Sequence, residues 1–168
     1  MPPVLKGKAY KTGDNIDTDV IIPARYCTSF TPEDLGPHCM EDLDKDFLKK
    51  CQPGAFIVAG RNFGCGSSRE NAPIAIKGAG IAAVIAQSFA RIFFRNSINI
   101  GLPIFESPEA AGDIQQEDLL EIDPNSGVIA NITRNKKYKS TPYPKIMQEI
   151  IDSGGMIGFV KKRLKKAR

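Results

Sequence analysis

Residues 55–86 constrain this chain more than any other segment. Ala55-Phe56-Ile57-Val58-Ala59 is an unbroken apolar run, the pattern of a strand buried on both faces. Gly60 to Gly66 follows as a glycine loop, and Ser67 to Gly78 is helix-like. Ile81 to Ala86 is a second buried-type strand, Phe89 to Ser97 reads as a helix, and Leu102-Pro103-Ile104-Phe105 as a third strand. Strands alternating with helices predict βαβ units and a parallel sheet covered on both faces.

The flanking segments add to this unit. Lys6 to Tyr10 reads as an opening strand and Lys11 to Asp19 as a loop. Val20-Ile21-Ile22 reads as a strand stub stopped by Pro23. Arg25 to His38 holds Pro32, Gly36 and Pro37 and is expected to be a long exposed loop, mobile when the chain is alone. Glu41 to Cys51 has apolar residues at helical spacing and ends at Pro53-Gly54. After Pro108, Asp118 to Asp123 and Val128 to Thr133 predict a hairpin around Asn125-Ser126-Gly127, and Pro144 to Ser153 a closing helix. The expectation is one α/β domain with an extra β layer over residues 1–160, then a basic tail over 161–168.

Composition excludes several classes. With 168 residues, 42% hydrophobic and 25% charged, the chain is long enough to bury a real core and is ordinary for a globular protein. The longest apolar run, Ile81 to Ala86, is far too short for a membrane-spanning helix, so no membrane association is expected. Met1-Pro2-Pro3-Val4-Leu5-Lys6 lacks the apolar core of a signal peptide, which points to the cytoplasm. The last eight residues carry six of the 23 cations, and 17 basic side chains then face 19 acidic ones in the body. The basic character belongs to the tail: a solvated segment, or a nonspecific contact for nucleic acid or an acidic partner. The acidic body argues against nucleic-acid binding.

Cys27, Cys39, Cys51 and Cys65 are spaced by 12, 12 and 14 residues, with no CxxC pair and one histidine, His38. Zinc fingers and ferredoxin-type clusters need close ligand pairs, so no metal or cofactor site is expected in this chain. The four thiols read as reduced and mostly structural.

Four groups of residues could carry chemistry. Gly64-Cys65-Gly66-Ser67-Ser68-Arg69-Glu70 follows a strand and opens a helix. It is neither GxGxxG nor a P-loop. Ser67 and Glu70 have the spacing of a capping box, so one reading is a capped helix behind a tight turn. The other uses the same geometry: free amides and the positive end of a helix favour an anion or an oxyanion on the serine, and Arg69 adds a carboxylate fork. Asn15-Ile16-Asp17-Thr18-Asp19 fails as a calcium loop, because Val20 replaces the glycine and Tyr26 the bidentate glutamate. It reads as a solvated turn, or as an acidic pair that holds an arginine or orients a catalytic group. Arg91 and Arg95, with Asn96, are either exposed or serve the same anion. His38 is a solvated loop histidine, or half of a Cys–His pair with Cys65 that has no evident orienting group.

Three segments together carry a resemblance. Gly13-Asp14-Asn15-Ile16-Asp17-Thr18-Asp19-Val20-Ile21-Ile22-Pro23, Asn62 to Glu70, and Phe89 to Ser97 resemble the small-subunit family of 3-isopropylmalate dehydratases (isopropylmalate isomerases) in the aconitase superfamily, in order and over nearly the whole chain. The resemblance implies a swivelling β/β/α domain like the C-terminal domain of aconitase. It implies a role in leucine biosynthesis, a small di- or tricarboxylate substrate, and a separate large subunit carrying a [4Fe–4S] cluster. It also leaves room for a homo-oligomer when the chain is isolated. Position by position, Ser67 matches the serine whose alkoxide takes the substrate proton, Ser68 and Arg69 match carboxylate-binding neighbours, and Asp19 matches an aspartate supporting the hydrogen-bond network. The implied reaction is reversible dehydration, with iron of the partner acting as Lewis acid on the leaving hydroxyl.

Two departures bear on substrate. Asn71 stands where the family usually has histidine. The stretch that contacts the variable substrate group in relatives reads Arg25-Tyr26-Cys27-Thr28-Ser29 here, and Cys27, Thr28 and Ser29 are neutral. Burying a third carboxylate beside neutral groups is costly, which favours an isopropyl or methyl substituent over homoaconitate, with Arg25 the one residue able to swing in. The alternatives are the small subunits of homoaconitase or 2,3-dimethylmalate dehydratase, or a non-catalytic carboxylate-binding module.

Overall fold

The two apolar runs at residues 55–59 and 81–86 pair side by side as parallel strands, and the rest of the chain is arranged around them. The computed structural model describes residues 3–167. In chain order the elements are β1 (Leu5–Lys11), α1 (Thr18–Ile21), α2 (Pro32–Leu35), α3 (Phe47–Lys50), β2 (Phe56–Ala59), α4 (Asn71–Gly78), β3 (Ala83–Ala86), α5 (Arg91–Ile100), β4 (Ile104–Glu106), α6 (Pro108–Asp113), β5 (Leu119–Asp123), β6 (Val128–Asn131), β7 (Lys136–Lys139), α7 (Lys145–Asp152) and α8 (Met156–Lys166).

The strands form one sheet in the order β4-β3-β2-β1-β5-β6-β7. β1 is the junction, parallel to β2 and antiparallel to β5. Alternation along each strand serves two cores. Ile57, Ala59, Val84, Ala86 and Ile104 pack with Phe63, Ile76 and Phe93 beneath α4 and α5. Phe56, Val58, Ile85 and Phe105 face the other way and meet Leu120, Ile122, Ile129 and Tyr138, because the antiparallel half curls back over the parallel half. The layering is therefore β/β/α, as expected. Truncating a fully buried aromatic such as Phe56 or Phe93 costs about 3–5 kcal/mol in such cores. The exposed edge strand β7 carries Lys136, Lys137 and Lys139 outward, which discourages pairing with a second edge.

The structure corrects four local readings. Val20 to Ile22 is not a strand stub: Thr18–Ile21 is helical, because the Asp17 carboxylate accepts from the Val20 N–H at 2.9 Å and caps the turn. Arg25 to His38 is not one open loop. It holds a 3-10 turn at Ala24–Tyr26, α2, and a second 3-10 turn at Gly36–His38. Leu35 and Gly36 are buried, and Gly36 approaches Gly78 so closely that a Cβ would lie 2.4 Å from its carbonyl carbon. Of Glu41 to Cys51 only Phe47–Lys50 is helical. The tail cations Lys161 to Lys166 continue α8 as an exposed helical end, and Arg168 lies outside the described residues.

β1 is also tied to the segment after α2. Asp44 accepts from Tyr10 Oη at 2.8 Å, from Lys50 Nζ at 2.7 Å and from the Asp46 N–H at 2.9 Å. Lys50 above all, then the Asp46 amide and Tyr10, hold the Asp44 carboxyl down to about 2. An unfolded aspartate titrates near about 3.9, so this stabilisation is complete above that pH and is lost as pH falls toward the folded value. Asp44→Asn should flatten the acid limb of a melting-temperature profile between about pH 4 and about pH 2. An acid limb identical to wild type would contradict this.

Candidate active site

The β1–β2 pairing does not stop where the strands end. Gly60 N–H donates to Gly13 O at 3.0 Å, Asn15 N–H to Arg61 O at 2.8 Å, Gly64 N–H to Ile16 O at 2.7 Å and Thr18 N–H to Cys65 O at 2.9 Å. Residues 13–18 therefore run alongside residues 60–65 past the carboxyl ends of both strands. Parallel α/β sheets bind ligands at this edge. Two glycines permit the approach. A Cβ on Gly60 would sit 1.8 Å from Asp14 Oδ1. Gly64 has φ +80°, and its Cβ would lie 2.2 Å from the Phe93 ring, so no other residue fits beneath the first turns of α5.

This docking brings the acidic motif to the serines. Asp17 caps α1, and Asp19 in its first turn forms an ion pair with Arg69 Nη1. Thr18 Oγ1 donates to Ser67 O at 3.1 Å. The Asp19 side chain is 59% exposed and that of Arg69 24%, so the pair contributes at most about 1 kcal/mol to stability and its value lies in aiming the guanidinium. Cys27 Sγ lies 3.9 Å from the same Nη1. Asn71, only 4% exposed, donates from Nδ2 to Ser29 O at 2.6 Å and pins the segment 27–29 against the start of α4. Asp19, Cys27, Ser29, Ser67, Ser68, Arg69 and Asn71 thus form one shelf, with Thr28 exposed at its rim.

The shelf has unused capacity. Ser67 and Ser68 are exposed, and their hydroxyls have no hydrogen-bond partner among the described residues. Arg69 spends only Nη1, so the Nε–Nη2 edge, the geometry that binds a carboxylate through two parallel bonds, is uncommitted within those residues.

Two expectations about these residues need correction. The Ser67–Glu70 capping box does not form: α4 begins at Asn71, and Glu70 occupies the cap position with no side-chain cap bond. Pro73 is the reason. In a helix starting at Ser67 it would sit in the interior, lacking the N–H that bonds the Arg69 carbonyl; starting at Asn71 puts it in the first turn, where that N–H is not needed. Ser67 therefore stands on the loop before α4 and not at its mouth. Arg25 is not on the shelf. It is engaged by Asp42 at 2.7 and 3.0 Å and by Glu41 at 2.6 Å, and lies over the Tyr26 ring at 4.9 Å.

The Cys–His pair also falls. His38 stacks on Tyr26 at 3.7 Å, with Nδ1 2.9 Å from Glu41, and burial followed by the nearby Asp17 pushes the Cys65 thiol up, away from the nucleophilic thiolate. Cys39 and Cys51 are buried, and burial pushes Cys51 up to about 12. Among the described residues no three His, Cys, Asp or Glu side chains are placed to hold a metal ion.

Asn71 supplies the tie that residue patterns alone did not reveal. Asn71→Ala should leave the Ser29 carbonyl unpaired and cost about 1–3 kcal/mol. Denaturant unfolding and amide hydrogen exchange check this: faster exchange over residues 27–31 is expected, and wild-type stability and exchange would refute it.

The chain is similar to known proteins over nearly its whole length. The aconitase C-terminal domain family matches residues 40–109, which include the serines and α5. The 3-isopropylmalate dehydratase small subunit of Caldicellulosiruptor saccharolyticus is 59% identical over 97% of this chain and 94% of its own length. That of Thermodesulfovibrio yellowstonii is 60% identical over 95% of each. The crystal structure of a 3-isopropylmalate dehydratase from Methanocaldococcus jannaschii, 45% identical, superposes with a TM-score of 0.93 over 98% of both chains. With relatives this similar over nearly the whole length of the chain, and a solved fold that superposes over 98% of it, the chain belongs to the 3-isopropylmalate dehydratase small-subunit family of the aconitase superfamily.

Proposed function

We propose that this chain supplies the serine–arginine half of a hydro-lyase active site that interconverts 2-isopropylmalate and 3-isopropylmalate by dehydration and rehydration, in leucine biosynthesis in the cytoplasm. The observation that carries the reading is the free Nε–Nη2 edge of Arg69 beside two exposed, unpartnered serine hydroxyls. Arg69 takes a substrate carboxylate through two parallel bonds, held in aim by Asp19. Ser68 donates to the same carboxylate. Ser67, as its alkoxide, takes the proton from the substrate carbon and, as the hydroxyl it becomes, returns one on rehydration. The Arg69 cation, two residues on, favours the Ser67 alkoxide before it takes the proton.

The shelf is open. Among the described residues none closes over Ser67 and Ser68, which fits a site completed by a second protein. The relatives are named small subunits, and we assign the other half, with the iron–sulfur cluster, to a large subunit. Substrate choice follows from Arg25. Asp42 and Glu41 neutralise it away from the shelf, and Cys27, Thr28 and Ser29 beside Arg69 are uncharged. A third carboxylate would meet no cation there, so isopropyl or methyl substituents fit better than the longer acid of homoaconitase.

Reconstitution with the large subunit, followed by absorbance of the unsaturated diacid, tests this. Turnover is expected with isopropylmalate and, more slowly, with dimethylmalate or citramalate, but not with homocitrate, and none from this chain alone. Ser67→Ala should lower kcat by about 10²–10⁴-fold while leaving assembly intact. Unchanged turnover would instead make the chain a carboxylate-binding module.

A further inference from the structure

Seven arginines lie among the described residues, and five have a carboxylate partner: Arg25 with Asp42 and Glu41, Arg61 with Asp14, Arg69 with Asp19, Arg134 with Asp118, and Arg163 with Glu149. Arg91 and Arg95 do not. They stand one turn apart on α5, both exposed, with no hydrogen-bond or ion-pair partner among those residues. Between them and α7 runs an open groove of about 450 Å³, floored by Phe94, Ile98, Met147 and Ile150. Ile146 at its lip is 45% exposed. The groove is thus apolar along its floor and cationic on one rim.

Its position says what covers it. α5 starts where β3 ends, at the same carboxyl edge as the shelf. Ala90 N–H donates to Phe63 O at 2.9 Å, and Phe93 packs on Gly64, three residues before Ser67. The start of α5, with Arg91 in its first turn, therefore lies beside the loop that carries Ser67, where a surface closing over that loop would meet it next. A second copy of this chain laid there would bring another serine shelf, not the missing half.

We propose that the α5–α7 groove is a docking surface for the large subunit, receiving an apolar segment that carries carboxylates for Arg91 and Arg95. This rests on the proposed function, since it takes its partner from that reading. Exposed rim charges act mainly on association rate and on salt dependence, so that is where the contact is visible.

The test is binding of the full chain to the purified large subunit at low and high salt. The variants are Arg91→Glu/Arg95→Glu, the milder Arg91→Gln/Arg95→Gln, and Lys161→Glu/Lys162→Glu on α8 outside the groove. Thermal melts confirm folding, and the glutamine pair carries the test if the glutamate pair does not fold. The glutamate pair should weaken association about tenfold or more at low salt, with the difference shrinking at high salt. The glutamine pair should fall between it and wild type, the α8 pair should bind like wild type, and kcat per assembled complex should hold. Wild-type affinity in both arginine variants would overturn the docking surface and leave the proposed function standing. So would loss of self-association in the isolated chain with large-subunit binding intact, which assigns the groove to a second copy. A rise in KM at full assembly would also overturn it, by assigning the arginines to substrate. Failure of the wild-type chain to bind the large subunit would remove the proposed function itself.

Discussion

The molecule depends on the backbone pairing that carries residues 13–18 past the end of β1 alongside residues 60–65. Without those bonds the acidic motif and the serine motif, 50 residues apart in sequence at Asp19 and Arg69, would be two unrelated surface loops. With them, a short capped helix delivers Asp19 to Arg69, and Thr18 holds the backbone at Ser67. Each bond is an ordinary backbone contact worth about 1 kcal/mol net. Their effect comes from registration: the sheet is buried on both faces, so slipping one residue would misplace every side chain in two cores.

The same economy explains the glycines. Gly60 and Gly64 are where one backbone must pass within contact of Asp14 and Phe93, and Gly64 also needs a left-handed backbone that costs other residues about 1 kcal/mol or more. A rigid floor under a loop with free hydroxyls suits a site that must present a base in a fixed place while another surface brings the substrate's other half. The tie from Asn71 to Ser29 extends that rigidity to residues 27–29 beside Arg69.

Much of this was legible in the residues. The apolar runs at 55–59 and 81–86 gave the parallel strands, the Asn125-Ser126-Gly127 turn gave the β5–β6 hairpin, and the two motifs gave the shelf. What was not legible depended on contacts distant in sequence or on short-range competition. Val20 to Ile22 is β-branched and apolar, but one carboxylate, Asp17, won the backbone for a helix. Ser67 and Glu70 have capping spacing, but Pro73 fixed the start of α4 at Asn71. Gly36 looked like a loop breaker and proved to be a contact point with Gly78. The edge strand β7, Lys136–Lys139, was not legible: three of its four residues are exposed lysines, and only Tyr138 points inward. Arg25 could be placed only once Asp42 and Glu41 were seen to hold it.

The central claim is that a serine on the loop before α4, beside an arginine held by Asp19, is half of a site that another protein completes. The most direct measurement is a structure of the assembled two-subunit enzyme with isopropylmalate bound. The account predicts Ser67 Oγ within hydrogen-bonding reach of the substrate carbon that loses its proton, and the Nε–Nη2 edge of Arg69 on a substrate carboxylate. Substrate seated elsewhere, with Ser67 and Arg69 still facing solvent, would contradict it.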